Sequence, residues 1–352
     1  MKYRRLGQTD LEVSEIAFGT GDNAGLMTIA PEADRFTTFE RALAIGVNYF
    51  DTSPDYGKGR AEENLGAALK RFGQEAGRPL YISSKIEIMP GDVDDIPGKI
   101  ARSTEASLRR LQVDYIDVMM IHNPPRATRD ASAAHWLPLT PADMLGPALD
   151  GLEAMRAQGK VRWFGFTCES AEPEPTKEVL SSRRYHAINC WYNMVNPTAG
   201  LKPHGVRYGA GYDDYDGVVT HAGECGVGVA VIRPLSGGAL TPQVIAQGAA
   251  GRHAHAGGIY TRKPASFMPE IERGRAFTFL HQPPRSLSVA AYLFALQHDA
   301  VSTVVGGFSD NAQLEEVAML ERFLPLSHEE WARIRDAYAN NFYLDQAAGQ
   351  PS

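Results

Sequence analysis

The sequence predicts an α/β fold, a (β/α)8 TIM barrel, on three observations. Eight short, near-continuous apolar runs recur along the chain, as parallel strands covered by helices require. Most of these runs are followed by an amphipathic helical pattern. No GxGxxG follows the first run, which removes the main support for a doubly wound dinucleotide-binding sheet, the competing arrangement. All 352 residues are expected in one barrel domain, with 1–14 as an N-terminal β-hairpin and 322–352 as an extra helix and tail.

The elements follow in order. "KYRRLGQTDLEVS" reads as two short strands about a Gly-containing turn, a plug for the barrel floor. The first four barrel strands are "EIAFGT" (15–20), "VNYFDTS" (47–53), "LYISSKI" (80–86) and "YIDVMMIHN" (115–123). The last four are "VRWFGFT" (161–167), "AINCWYN" (187–193), "VGVAVIRP" (227–234) and "VSTVVGG" (301–307). In "RAEENLGAALKRF", Ala61, Leu65, Ala68, Leu69 and Phe72 share one helical face. Asp95 before Ile96-Pro97 marks a helix start with proline in the first turn. Asp310 marks another, with Gln313 at capping-box spacing and Leu314, Val317 and Ala318 facing inward. "SHEEWARIRDAYANN" from Ser327 is the extra helix. Three connections, 124–140, 194–216 and 236–285, are too long for plain turns. Each follows a strand, so all three are expected on the barrel's carboxyl face.

Composition excludes several classes. An apolar fraction of 43% supports a full core, and a net charge of −7 argues against a polyanion partner. Cys168, Cys190 and Cys225 have no CxxC spacing and cannot all pair, which points to a reduced, cytoplasmic chain. The first residues lack the apolar core of a signal peptide, and no run reaches membrane-spanning length. The expectation is a soluble enzyme.

In a parallel barrel, chemistry collects at the carboxyl ends of strands. Strand two delivers Asp51 and, on the loop beyond, Tyr56; strand three delivers Lys85 and strand four His122. An ammonium beside a phenol favours the phenolate and eases release of its proton. An aspartate beside the lysine keeps that buried cation charged. The histidine can donate a hydrogen bond to a carbonyl oxygen and orient it. Together they form a tunable proton donor suited to hydride transfer at that carbon.

These residues resemble the aldo-keto reductase family. "GVNYFDTSPDYGKGRAEENLGAAL" (46–69) is similar to its Asp/Tyr signature, "YISSKI" (81–86) to its lysine strand and "LQVDYIDVMMIHNP" (111–124) to its histidine strand. "GKVRWFGFT" (159–167), "GVGVAVIRPLSGG" (226–238) and "VVGGFSDNAQLEEV" (304–317) match later blocks. The resemblance implies a catalytic tetrad of Asp51, Tyr56, Lys85 and His122, with Tyr56 as general acid. It implies a nicotinamide dinucleotide, NAD or NADP, held across the barrel mouth, a carbonyl or alcohol substrate, and no metal. Cofactor contacts fall by resemblance on Gly19, Thr20, Asp51, Thr167, Cys168 and Asn189. They continue on Ile232, Arg233, Pro234, Leu235 and Gly237, and end on Gly307, Ser309, Gln313 and Glu316.

Departures from the family pattern matter as well. Ser-Asn is usual where this chain has Thr167-Cys168, and a thiol is a weak substitute for an amide. Asn189 stands for a Gln, and Ile232 for the aromatic that stacks on nicotinamide. Arg233 either reaches a cofactor or substrate anion or is a strand-end surface charge. No Lys or Arg occurs from 306 to 317 to clamp a 2′-phosphate, which favours NAD or dual use.

His253 and His255 read as part of a mobile loop rather than a metal site. Trp136, Trp191 and Tyr192 are either pocket-lining or packing residues, and "YGAGYDDYDG" (208–217) either shapes specificity, closes over the cofactor or begins the next helix. Two rival functions stand beside the oxidoreductase, acting for example on an aldose. One is a dinucleotide-binding regulatory protein with little turnover. The other is a metal-dependent hydrolase using His122 and Asp51, disfavoured because no second strand-end histidine pairs with the first.

Overall fold

The computed structural model describes residues 1–130, 137–207, 212–255 and 267–347. Two short strands, β1 (Tyr3–Arg5) and β2 (Glu12–Ser14), pair antiparallel. The barrel proper comprises β3 (Ile16–Gly19), β4 (Tyr49–Asp51), β5 (Tyr81–Ile86) and β6 (Ile116–Ile121), then β7 (Val161–Thr167), β8 (Ala187–Trp191), β9 (Gly228–Ile232) and β10 (Val301–Gly307). All eight pair in parallel, and β10 closes onto β3. Each lies inside one of the apolar runs of the sequence.

The hairpin seals the floor. Leu6, Leu11 and Val13 are wholly buried against Tyr49, Val118 and Ala187 of the barrel interior. Gly7, at φ +55°, brings the turn so close to β9 that an added Cβ would sit 2.3 Å from the Gly228 nitrogen. Only glycine satisfies both the dihedral and that approach.

The helices pack outside with the expected faces inward. Ala61, Leu65 and Ala68 of helix Arg60–Phe72 are buried, and Leu69 and Phe72 are partly so. Asp95 caps helix Ile96–Leu111, accepting from the Gly98 N–H at 3.0 Å. Asp310 caps helix Asn311–Ala318 through the Gln313 N–H at 2.9 Å. The Gln313 side chain instead accepts from the Ser309 N–H at 2.8 Å, one residue before the reciprocal capping-box position. The tail helix, His328–Ala339, is capped by Ser327 and packs Tyr338 on Phe277 and Phe342. No described helix is long and apolar enough to cross a membrane.

Candidate active site

Strand register sets the site. Gly19, Asp51 and Ser83 lie side by side on β3, β4 and β5, so the carboxylate of Asp51 and the Lys85 ammonium two residues further along β5 meet at the barrel mouth. Lys85 Nζ donates to Asp51 Oδ2 at 2.7 Å and to the Thr52 carbonyl at 2.8 Å, with both charged groups buried. Burial works against the ammonium, but Asp51 and Tyr56 outweigh it and the lysine pKa is raised. Asp51 Oδ1 accepts from Asn189 Nδ2 at 2.8 Å, and the Thr20 hydroxyl donates to the Asp51 carbonyl at 3.1 Å. The acid is therefore held on three sides.

Tyr56 opens the 3-10 turn Tyr56–Gly59, whose sharp course uses Gly57 at φ +60° and Gly59 at φ +92°. Its ring lies beside the cation, with Lys85 Nζ 4.9 Å from the centroid. Burial is the largest influence on the phenol; Lys85 pulls the other way, and the net result is a pKa pushed up to about 12. The expected pull of the lysine is thus present but smaller than the loss of solvent. His122 meets the Tyr56 ring edge-on, with centroids 6.3 Å apart. Its Nδ1 lies 3.0 Å from Asp55 Oδ2, and the Thr167 hydroxyl donates to its carbonyl at 2.9 Å.

The four groups stand in the wall of a cleft of about 460 Å³. Gly19, Thr167 and Asn189 line its deep part, as do Ile232 to Leu235 and Gly237 beyond them. Gly307, Ser309, Gln313 and Glu316 line the rest. Two of the expected contacts do not. Cys168 is fully buried in the hydrophobic core, hydrogen-bonded to the Cys190 thiol, and burial pushes its own thiol well up. Strand alternation explains it: Thr167 turns inward, Cys168 turns outward, and Glu169 takes the wall position. Thr20 stays behind the wall with its hydroxyl spent on Asp51.

Arg233 lines the cleft, with φ +55°, its guanidinium 4.0 Å from the Trp191 ring centroid and 3.8 Å from Glu270. It is not a surface charge. Tyr192 is a core residue stacked near Phe294 rather than a pocket residue. His253 Nε2 lies 3.1 Å from Asp310 Oδ2, and His255 Nδ1 lies 3.3 Å from the Ser309 carbonyl oxygen. Trp136 and residues 208–211 lie outside the described residues.

Three wall or mouth residues escaped the sequence reading. Arg252 lines the cleft from the connection after β9, close enough to Arg233 that burial and that neighbour lower its pKa. Asp55 lies in the turn before Tyr56, where an aspartate is ordinary turn chemistry. Glu87 follows Lys85 at i+2, the spacing that puts two strand residues on one face, and that signal was available.

The cleft suits a nicotinamide dinucleotide. Asn189 Oδ1 is buried in it without a partner, because the amide nitrogen is committed to Asp51. Such an orphaned acceptor fits the amide N–H of a nicotinamide carboxamide. The Ser288 hydroxyl, also in the wall, is likewise buried and unpaired.

A buried phenol beside an aspartate-paired lysine thus stands at the mouth of a closed parallel barrel, an arrangement suited to a barrel oxidoreductase. The Aldo/keto reductase family model matches residues 15–339, and the chain belongs to that family of NAD(P)-dependent oxidoreductases of carbonyl compounds. It is 25% identical over 327 residues to an L-galactose dehydrogenase of Arabidopsis thaliana, covering 90% of this chain and 86% of that one. A probable voltage-gated potassium channel subunit beta of the same plant is 35% identical over 131 residues, 36% of this chain and 39% of its own. A solved aldo-keto reductase of Bacillus halodurans in its holo form superimposes with a TM-score of 0.69 at 23% identity, covering 96% of both chains.

Proposed function

We propose that this protein interconverts an aldehyde or ketone and its alcohol with NAD(P)(H), with aldoses as the favoured substrate class and Tyr56 as general acid and base. The observation that carries it is the Lys85 ammonium, fixed by Asp51 at 2.7 Å and set against the Tyr56 ring. The bound nicotinamide supplies or accepts the hydride. The protein supplies the rest. In reduction the Tyr56 hydroxyl gives its proton to the carbonyl oxygen, and the resulting phenolate is stabilised by Lys85, which Asp51 keeps charged. Asn189 and Thr167 would face the nicotinamide end, and Arg233 and Arg252 suit its phosphates. The absence of Lys and Arg from 306–317 favours NAD or dual use.

Similarity along nine-tenths of the chain to a sugar dehydrogenase supports the aldose class. So does Glu169, whose carboxylate in the cleft wall offers acceptors to substrate hydroxyls. Three buried free cysteines support a cytoplasmic setting. The test is an aldose, aldehyde and alcohol panel read by dinucleotide absorbance with NAD and NADP. Turnover that survives in full in Tyr56→Phe sinks the mechanism, and a hundredfold preference for NADP sinks the cofactor assignment. A second reading, a dinucleotide-binding regulatory subunit, draws on the stretch similar to the channel beta subunit. Dinucleotide binding with no turnover across the whole panel favours it.

A further inference from the structure

We propose that the Glu169 carboxylate makes this site favour the oxidised dinucleotide over the reduced one, by attracting the positive charge that only the oxidised nicotinamide ring carries. The preference rests on the oxidoreductase reading above. It adds a charge that the mutually neutralised Asp51 and Lys85 do not supply.

Glu169 owes its position to the end of β7. Strand alternation turns Thr167 into the cleft and Cys168 into the core, so the next side chain to reach the wall is Glu169. It is partly buried there, in the same wall as Asp51, Tyr56, Lys85 and His122. Its charge reaches the phenol. Burial comes first in raising the Tyr56 pKa, and Asp51 and Glu169 add to it against the pull of Lys85. Thr167 and Asn189 line the same end of the cleft, where Asn189 Oδ1 is the orphaned acceptor suited to a nicotinamide carboxamide. Glu169 therefore belongs to the end that the ring would occupy.

The other charges near this end have partners. Lys85 is neutralised by Asp51 at 2.7 Å, and Asp55 lies 3.0 Å from His122 Nδ1. Arg126 donates to the Ser170 carbonyl at 3.0 Å and is paired with Glu172 at 2.9 Å. Further along the cleft, Arg233 stacks on Trp191 and faces Glu270, with Arg252 beside it. Among the described residues, no hydrogen bond or ion pair engages the Glu169 carboxylate. An unpaired anion in a partly water-excluded wall acts on a nearby charge more strongly than it would in bulk water. The oxidised ring is a cation and the reduced ring is neutral, so this attraction acts on one redox state alone. The phosphates and the adenosine are common to both forms and cancel in the comparison. A substrate hydroxyl that donates to Glu169 leaves its charge in place. Such a site loads with the oxidised dinucleotide, the form that accepts hydride from an alcohol.

The test is calorimetric binding of NAD+ and NADH at pH 8 with no substrate present, and of NADP+ and NADPH in the same way. Glu169→Gln keeps the size of the side chain and removes its charge. It should raise the Kd for the oxidised form about tenfold and leave the Kd for the reduced form within about twofold. Glu169→Asp keeps the charge, and its Kd for the oxidised form should stay within about threefold of the wild type. If both forms weaken alike, or neither moves, the inference is overturned, while the binding itself leaves the oxidoreductase reading standing. A loss in Glu169→Asp as large as that in Glu169→Gln also overturns it, because side-chain length rather than charge is then responsible. Binding of no dinucleotide by the wild type sinks the oxidoreductase reading, and this preference with it.

Discussion

The two ends of this barrel treat polar groups in opposite ways. At the floor the buried charges, Glu15 and Asp117, are each paired with an arginine in a structural contact. Asp117 accepts from the Ile82 N–H at 2.9 Å and from Arg162 at 2.7 Å, while Arg162 and the Trp163 indole both donate to Asp10. At the mouth Asn189 Oδ1 is buried without a partner, and burial holds the Tyr56 phenol above an ordinary one. Two carboxyl groups there share a hydrogen bond. Unmet polar groups cost stability, so a fold keeps them where they bind or react. The floor holds the barrel shut, and the mouth spends some of that stability on chemistry.

That contrast can be broken by mutation, beginning with the largest expected effect. Tyr56→Phe should lower kcat by about 10²–10⁴-fold. Its urea midpoint should move little, because Lys85 keeps its bonds to Asp51 and the Thr52 carbonyl when the phenol oxygen is removed. A large loss of stability in that variant would remove the distinction between the ends. At the floor, Leu11→Ala should cost about 2–5 kcal/mol in urea denaturation, as for other fully buried leucines. Its kcat/KM per folded molecule should match the wild type, and a tenfold fall would show the floor to be coupled to the site.

The smallest effect sharpens the comparison through pH. The folded protein keeps Glu87 protonated up to about 7, whereas the unfolded chain releases that proton near the ordinary glutamate value. Between those values the folded state holds the extra proton, so this residue's contribution to stability falls as pH rises. Glu87→Gln cannot ionise. It should be more stable than the wild type by about 1 kcal/mol at pH 8, after allowance for the partial exposure of Glu87, and equal to it at pH 4. Equal stability at both pH values would show that Glu87 pays no penalty for ionising.

Much of this was legible in the sequence, for a physical reason. Strands buried on both faces must be apolar throughout, so an ionisable residue at the end of each stands out. Asp51, Lys85 and His122 were visible in that way, and Tyr56 by its place just past Asp51. The misreadings share a cause too. Whether the last residue of β7 or its successor faces the cleft depends on one step of alternation, and Cys168 fell on the wrong side of it. Asp55 and Glu87 meet only because β4 and β5 are neighbours, a contact between segments that sequence spacing alone does not report. Arg252 sits in an irregular connection with no periodicity to read.

The plug formed by β1, β2 and Gly7 has a kinetic consequence. With the floor sealed by the described hairpin, the space above Asn189 is reached through the doorway at the mouth. Two reactants that share such a doorway cannot be exchanged independently. A reactant seated at the bottom is then expected to arrive first and depart last, an order that the hairpin at the other end of the protein would set.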